Sequence, residues 1–520
     1  MILTLLLVLA ATTLYAQKRA LETINESDLK AHLEFVAGDL MQGRDFFTDI
    51  PGLEITADYL KAQSMKMGLK PGGESYFQSV AMISSVPDQD NSYFELKGEG
   101  DSVLYHDNTI FSLGGPSGND TVHAELVFAG YGWYDDKTKY NDTEGIDIKD
   151  KIVVVMTRNP ELVKEGKQTD TNVEMRKMQK ALMGGAKALV IVPDPKNPDD
   201  NFVESIRKYA TGGSLSLEGA KSRRTMPIRL VFGNLELANM IVRESGKTMA
   251  QLQQEIQESG QPKSFVVESC SAKLQLVKKT SKIEGKNIIA VVEGSDPILK
   301  NECVVYTAHY DHLGMQGEGE IFNGADDNGT GTVALLEIAE AFQSLKKKPR
   351  RSIVFAWVTA EEKGLIGSDY YSQNPVFPLE NTLADINLDM VGRSAEKEPE
   401  EGAELEKSLA GPNGLYIVSG KQSSELIELS EKVCGELGLE PSDELSDAFL
   451  SRSDYFHFYK NGIPVLGLST GLHEDYHKVS DELDKIDYTK MKRVAQYAFL
   501  VGEKVANQKK RIVVDKPAVE

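Results

Sequence analysis

The chain has 520 residues, 41% of them hydrophobic, and its 58 Lys and Arg against 79 Asp and Glu leave a net charge of −21. That length calls for more than one domain, and the apolar fraction supports large packed cores, which excludes wholesale disorder. So acidic a surface repels phosphate backbones and anionic headgroups and excludes nucleic-acid binding.

The N-terminal MILTLLLVLAATTLYAQ carries an apolar run of about ten residues, too short to span a bilayer. It reads as a secretory signal over residues 1–16 ending at Ala16, although no Lys or Arg precedes the run and Leu14 is large for its place before the cleavage point. Export to a periplasm or the medium is the expectation, and no later segment is apolar and long enough to cross a membrane. The three cysteines, Cys270, Cys303 and Cys434, form no CxxC pair, so neither a cysteine–zinc cluster nor a dithiol redox site is supported. Cys303, in the strand-like NECVVYTAH, is expected as a small buried hydrophobe.

SDLKAHLEFVAGDL predicts a helix with Ser27 as N-cap, and ITADYLKAQSMKMGLKPGG a second helix stopped by Gly and Pro. Residues 17–117 form the first part of a main domain. Over 118–265 the short runs AELVFAGYGW, KIVVVMT and KALVIVPD, with the helix EMRKMQKALMGGA between two of them, predict a separate β-rich insert. The main domain resumes at 266 and runs to 520. From 286 the apolar strands NIIAVVEG, CVVYTAHY, SIVFAWV, ADINLDMV, LYIVSG and IPVLGLS alternate with helical stretches such as TVALLEIAEAFQSL. This predicts an α/β domain with a mainly parallel central sheet flanked by helices. KKKPRR (346–351) reads as a solvated helix end and 394–414 as a polar surface insertion. Nothing in the pattern gives an oligomeric state.

Ligands of open α/β sheets gather beyond the carboxyl ends of the strands. Here those ends deliver His309 and Asp311, Glu361 and Glu362, Asp389, and His477, while NGADDNGTG places Asp326 and Asp327 before a helix. Imidazole and carboxylate without thiolate suit zinc or a similar divalent ion. Two histidines and three carboxylates exceed what one catalytic zinc with an open position needs, and suffice for two ions if one carboxylate bridges. His309 and Asp311, two apart in a strand, share a face, so Asp311 is expected to orient the imidazole.

AHYDHLG, GADDNGTG, TAEEKGLIGS, INLDMVGR and DYHKVSDELDKID, in that order, resemble the M28 family of di-zinc metallopeptidases, and LMQGRDFF resembles its N-terminal segment. The resemblance implies a zinc exopeptidase fold, with 118–265 as a protease-associated insert, and two zinc ions per chain. It implies His309, Asp326, Glu362, Asp389 and His477 as metal ligands with Asp326 bridging, Glu361 as general base, Tyr476 as a donor to the developing oxyanion and Arg452 as a substrate contact. The activity implied is removal of N-terminal residues from peptides with a free amino terminus, using water activated between the ions. Carboxypeptidase and glutaminyl cyclase activities on related scaffolds stay open.

Other residues carry blander readings. His312, His457 and His473 are taken as surface residues, and Asp327 as a supporting group or a shaper of its turn. GLSTG (467–471) fits the G-x-S-x-G pattern with Ser469 as nucleophile, but LHEDYHKVSDE does not open the helix that such an elbow needs. A scaffold protein with a dead site would be expected to lack ligands, and none is missing.

Overall fold

The computed structural model describes residues 17–98, 102–105, 111–112, 119–169, 171–196, 214–219, 228–316, 319–397 and 408–516. The expected signal at 1–16 and the middle of the 394–414 insertion lie outside the described residues. The chain forms two compact units, one of Met1–Ala81 with Glu284–Glu520, the other of Met82–Ile283.

In the first unit the helices α1 (Glu26–Val36) and α2 (Gly52–Met67) precede strand β1 (Phe77–Pro87), through which the chain leaves. It returns along β2 (Lys278–Val292), followed by β3 (Cys303–His309), α3 (Gly331–Ser344), β4 (Ser352–Val358), α4 (Ile366–Gln373), β5 (Thr382–Leu388), β6 (Gly414–Val418), α5 (Ser424–Leu437), β7 (Glu440–Ser442), α6 (Tyr455–Lys460), β8 (Val465–Ser469) and α7 (Tyr488–Asn507). The sheet order is β1-β2-β4-β3-β5-β8-β6-β7. β4, β3, β5 and β8 are mutually parallel, while β2 and β6 run antiparallel to β4 and β8. Every residue of β3, β4 and β5 is buried, which is why CVVYTAH, SIVFAWV and TLADINL read as unbroken apolar runs. His309 pairs with Val358 and Thr307 with Asn387, so the carboxyl ends of the parallel strands finish at one edge.

Alternation along the strands feeds two cores. Val304, Tyr306, Phe355 and Trp357 face α1, α2, α3 and α7, whereas Cys303, Val305, Val354 and Ala356 face Tyr371 of α4 and Phe458 of α6. α7 lies close over the sheet because residue 502 is glycine: a Cβ there would stand 1.8 Å from the Tyr306 hydroxyl oxygen. That hydroxyl donates to the Ala498 carbonyl at 2.8 Å. Two local expectations are corrected. Asn25, not Ser27, caps α1, its side chain accepting from the Asp28 amide, because the helix starts at Glu26. The 346–351 segment is not wholly solvated: Arg351 is 1% exposed and donates to Glu302 and to the Gln508 carbonyl.

The second unit is wider than the 118–265 read from sequence, because Tyr93–Gly98 and the long strand Phe265–Leu276 belong to its sheet. It is mixed rather than β-rich. Asp120–Phe128, Ile152–Met156, Ala188–Val192 and Arg229–Phe232 run parallel, and the helices Thr171–Met183 and Met249–Ser259 belong to the same unit. Its two cores, around Phe94, Leu126 and Val154 and around Val153, Leu189 and Phe232, are its own.

One buried carboxyl in the first unit gives a pH signature. Glu337, in the middle of α3, is 1% exposed. Burial, with Asp28 and Glu340 adding to it against a bond from the Asn25 amide, pushes it up to about 8. His32 stands 3.6 Å away and bonds Tyr59, and burial lowers its own pKa. A carboxyl whose folded pKa lies above its unfolded value binds more protons in the folded state, so its stability contribution is full below about 4.5 and falls as pH rises towards 8. Glu337→Gln, which fixes the neutral form, is therefore expected to raise Tm relative to wild type at pH 8.5, with the gap closing at pH 5, as read by calorimetry.

Candidate active site

The carboxyl ends of β3, β4, β5 and β8 supply the site. His309 is the last residue of β3, Glu361 and Glu362 follow β4, Asp389 follows β5, and His477 lies in the segment after β8. The turn Ala325–Thr330 ahead of α3 brings in Asp327. Several non-glycine residues here take left-handed backbone, among them Ala360 (φ 55°), Met390 (φ 58°) and His477 (φ 56°). Such conformations cost energy and persist where the surroundings enforce them, a pattern that clusters at functional sites.

Asp327 stands at the centre. Its Oδ1 lies 3.4 Å from His309 Nε2 and its Oδ2 3.2 Å from His477 Nε2. His309 Nε2 is also 3.5 Å from Asp389 Oδ1 and 3.9 Å from a Glu361 oxygen, and His477 Nε2 is 3.4 Å from Glu362 Oε2. Charge-assisted hydrogen bonds run at about 2.7–2.9 Å, shorter than these separations. Tetrahedral donors each about 2.0–2.1 Å from a zinc ion stand about 3.3 Å from one another. The spacing thus fits groups arranged around shared centres, one bounded by His309, Asp327 and Asp389 and the other by Asp327, Glu362 and His477. Asp389 Oδ1, buried and without a hydrogen-bond partner, fits the same reading. His312 also converges on Asp327 and Glu362, but its Nδ1 is 2.9 Å from Glu362 Oε1, which is direct hydrogen-bond distance.

The electrostatics divide the two glutamates. Burial, reinforced by Glu362, Asp454 and Asp389 against the pull of His309, holds the Glu361 carboxyl well above the usual range. Burial and Asp327 also push on Glu362, but His312 and His477 outweigh them and hold it at about 2. Burial opposes charge on His477, yet Asp327 and Glu362 hold it at about 10. One glutamate favours its protonated form and its neighbour stays a carboxylate.

The structure brings together His309, Glu361, Glu362, Asp389 and His477 and corrects two expectations. Asp326 does not lie between the imidazoles; Asp327 does. The Asp326 carboxylate turns the other way, accepting from the Gly392 amide at 2.8 Å and the Thr330 hydroxyl at 3.0 Å, with His473 Nε2 at 3.3 Å. Asp481 accepts from the amides of both Asp326 and Asp327 and so fixes which carboxylate faces which way. Asp311 acts on His309 through its backbone carbonyl, 3.1 Å from Nδ1, with its carboxylate 3.9 Å away. That carboxylate instead accepts from the amides of Glu361 (3.0 Å) and Glu362 (3.3 Å), pinning the glutamate pair. His312 and His473, read as surface residues, are buried beside the site; the HYDH spacing after β3 was the available signal for His312.

Tyr476 stacks on His477 with ring centroids 3.8 Å apart, and burial raises its hydroxyl pKa, keeping it a donor. Tyr476 and Arg452 both line an open cleft of about 550 Å³ over the site, the Arg452 guanidinium lying 4.5 Å from the Phe449 ring centre. Ser469 lines the cleft too, but its hydroxyl lies 3.4 Å from the Met390 carbonyl and accepts from the Gly471 amide. Among the described residues no hydrogen bond joins its hydroxyl to an imidazole, which leaves the serine-hydrolase reading without its base.

A family model, "Peptidase family M28", matches residues 287–501. "Leucine aminopeptidase 2" of Trichophyton equinum is 32% identical over 187 residues, 36% of this chain and 33% of that protein. "Leupeptin-inactivating enzyme 1" of Streptomyces exfoliatus is 32% identical over 202 residues, 39% of each chain. The chain thus spans between a third and two-fifths of the length of these relatives. Among solved structures, the aminopeptidase from Aneurinibacillus sp. strain AM-1 superposes with a TM-score of 0.55 at 19% identity, covering 96% of this chain and 98% of that one. BSAP, described as a zinc aminopeptidase from Bacillus subtilis, gives 0.50 at 19% identity over 92% and 94%. At that identity the superpositions establish the fold. The family-model match identifies residues 287–501 of this chain as belonging to peptidase family M28.

Proposed function

We propose that the protein is an exported di-zinc aminopeptidase that releases residues from the free amino terminus of peptides. The observation that carries this is the spacing of 3.2–3.5 Å among His309, Asp327, Asp389, Glu362 and His477. His309, Asp327 and Asp389 would hold one ion and Asp327, Glu362 and His477 the other, with Asp327 shared. The ions supply Lewis acidity, polarising the scissile carbonyl and lowering the pKa of water. Glu361, its carboxyl poised by burial towards taking a proton, accepts one from the attacking water and passes it to the departing amine. Tyr476 donates its hydroxyl proton in a hydrogen bond to the oxygen on which negative charge develops. The cleft wall of Val418, Phe449, Leu468 and Leu472 suits an apolar side chain at the residue to be released. Export rests on the apolar run ending near Ala16, and the Met82–Ile283 unit is read as a protease-associated insert. Among the described residues no helix is long and apolar enough to cross a membrane.

Matched aminoacyl and N-acetyl-aminoacyl anilides, assayed with and without a zinc chelator, test the reading. Cleavage confined to free amines, abolished by chelator and fastest for leucyl and phenylalanyl substrates, is expected. Chelator-resistant cleavage contradicts it, and turnover only of N-terminal glutamine or C-terminal residues replaces it with a cyclase or carboxypeptidase.

Glu361→Gln is expected to keep its zinc and lose about 10²–10⁴-fold in kcat, the scale of general acid–base catalysis. Glu362→Gln is expected to lose zinc instead. Metal analysis alongside kinetics checks both, and near-normal turnover by Glu361→Gln would show that the roles within the pair are wrongly divided.

A further inference from the structure

The N-terminal segment ahead of α2 contains a feature that the proposed reaction leaves unexplained. Arg44 is 0% exposed, and its guanidinium hydrogen-bonds only backbone carbonyls. Nε donates to Tyr310 O at 2.8 Å, Nη1 to Val36 O at 2.9 Å and Asn323 O at 2.6 Å, and Nη2 to Gly324 O at 2.9 Å. Tyr310 lies between His309 and Asp311, and Gly324 opens the turn that carries Asp327. The backbone of the same residue joins in: Arg44 O accepts from the His312 amide at 3.1 Å, and Gly43 O from the Gly314 amide at 3.0 Å. One side chain therefore ties together the end of α1, the exit of β3 and the turn before α3.

The local backbone is unfavourable for this sequence. Gln42 (φ 45°), Gly43 (φ 67°) and Arg44 (φ 49°) all sit in the left-handed region, which only the glycine adopts freely. A Cβ on Gly43 would stand 2.4 Å from Gly314 O and 2.5 Å from Phe322 O, so the segment is pressed against the strands that follow His312 and precede Asn323. A buried cation is costly unless its donors are satisfied and its charge is compensated. Four carbonyls satisfy four of the five N–H donors. The charge is compensated from Asp327, Asp311, Asp481 and Glu362, which oppose the lowering effect of burial on Arg44. The flat, multiply donating guanidinium can reach three segments at once; the single ammonium of lysine cannot.

We propose that Arg44 is a positioning residue for the metal centre, holding the His309 and Asp327 segments at ligand spacing before an ion binds. The inference rests on the di-zinc reading above. Residues that orient metal ligands through hydrogen bonds typically alter metal affinity about 10–100-fold when removed.

The test uses the full chain as wild type, Arg44→Lys and Arg44→Met, the lysine variant retaining the charge in case the methionine variant does not fold. Zinc affinity is measured by competition with a chromophoric chelator, and Tm with and without zinc. Both variants are expected to bind zinc about 10–100-fold more weakly and to show a smaller zinc-dependent rise in Tm than wild type. In a third variant, Arg44→Ala, which leaves room for the ion, free guanidinium at millimolar concentration is expected to recover part of the affinity. Wild-type affinity in Arg44→Lys, with any loss of Tm equal in the presence and absence of zinc, would overturn the proposal and leave Arg44 as packing alone. A wild-type chain that binds no zinc would overturn the functional reading and this inference together, a result distinct from the first.

Discussion

The carboxylate of Asp327, buried between the imidazoles of His309 and His477, is the constraint on which the rest of the site depends. Carboxylates within a few ångströms of one another repel strongly in a low-dielectric interior, and the cost falls only when cations stand among them. Here the protein's own cations are imidazoles at the strand ends and Arg44 beneath the turns. The distances between donors exceed those of charge-assisted hydrogen bonds and match those of donors around a shared ion. The arrangement therefore suits divalent ions better than a closed network of ion pairs.

The sheet makes that concentration of charge possible. Four parallel strands buried on both faces end in register, so their following turns project side chains to one edge without disturbing the apolar layers beneath. Backbone amides and carbonyls then do much of the aiming. Asp311 fixes the glutamate pair through two amides, Asp481 fixes Asp326 and Asp327 through theirs, and the Asp311 carbonyl sets the His309 ring. The left-handed residues Ala360, Met390 and His477 are the conformational cost of these directions.

How much of this was legible in the sequence follows from what is local and what is not. The parallel strands read correctly because burial on both faces leaves an unbroken apolar run, and His309, Glu361, Glu362, Asp389 and His477 stood out by lying just beyond such runs. The family resemblance points to Asp326 as the shared carboxylate and not Asp327, wrongly, since adjacent residues in a turn point in different directions and Asp481, 154 residues from Asp327, fixes which way each faces. The role of Arg44 was hidden for the same reason, its carbonyl partners at Tyr310 and Gly324 lying 266 and 280 residues away. The insert looked narrower and more β-rich than it is because its long strand Phe265–Leu276, paired on both sides within the insert's own sheet, adjoins the return to the main sheet without a break in pattern. His312 and His473 were misplaced because burial of a single polar residue leaves no periodic trace.

The most direct test of the central claim is zinc-edge anomalous scattering from crystals of the full chain grown with zinc. That claim requires two anomalous peaks, on either side of the Asp327 carboxylate, one touching His309 and Asp389 and the other touching Glu362 and His477. A single peak, or peaks centred on Asp326 and His473 instead, would contradict it.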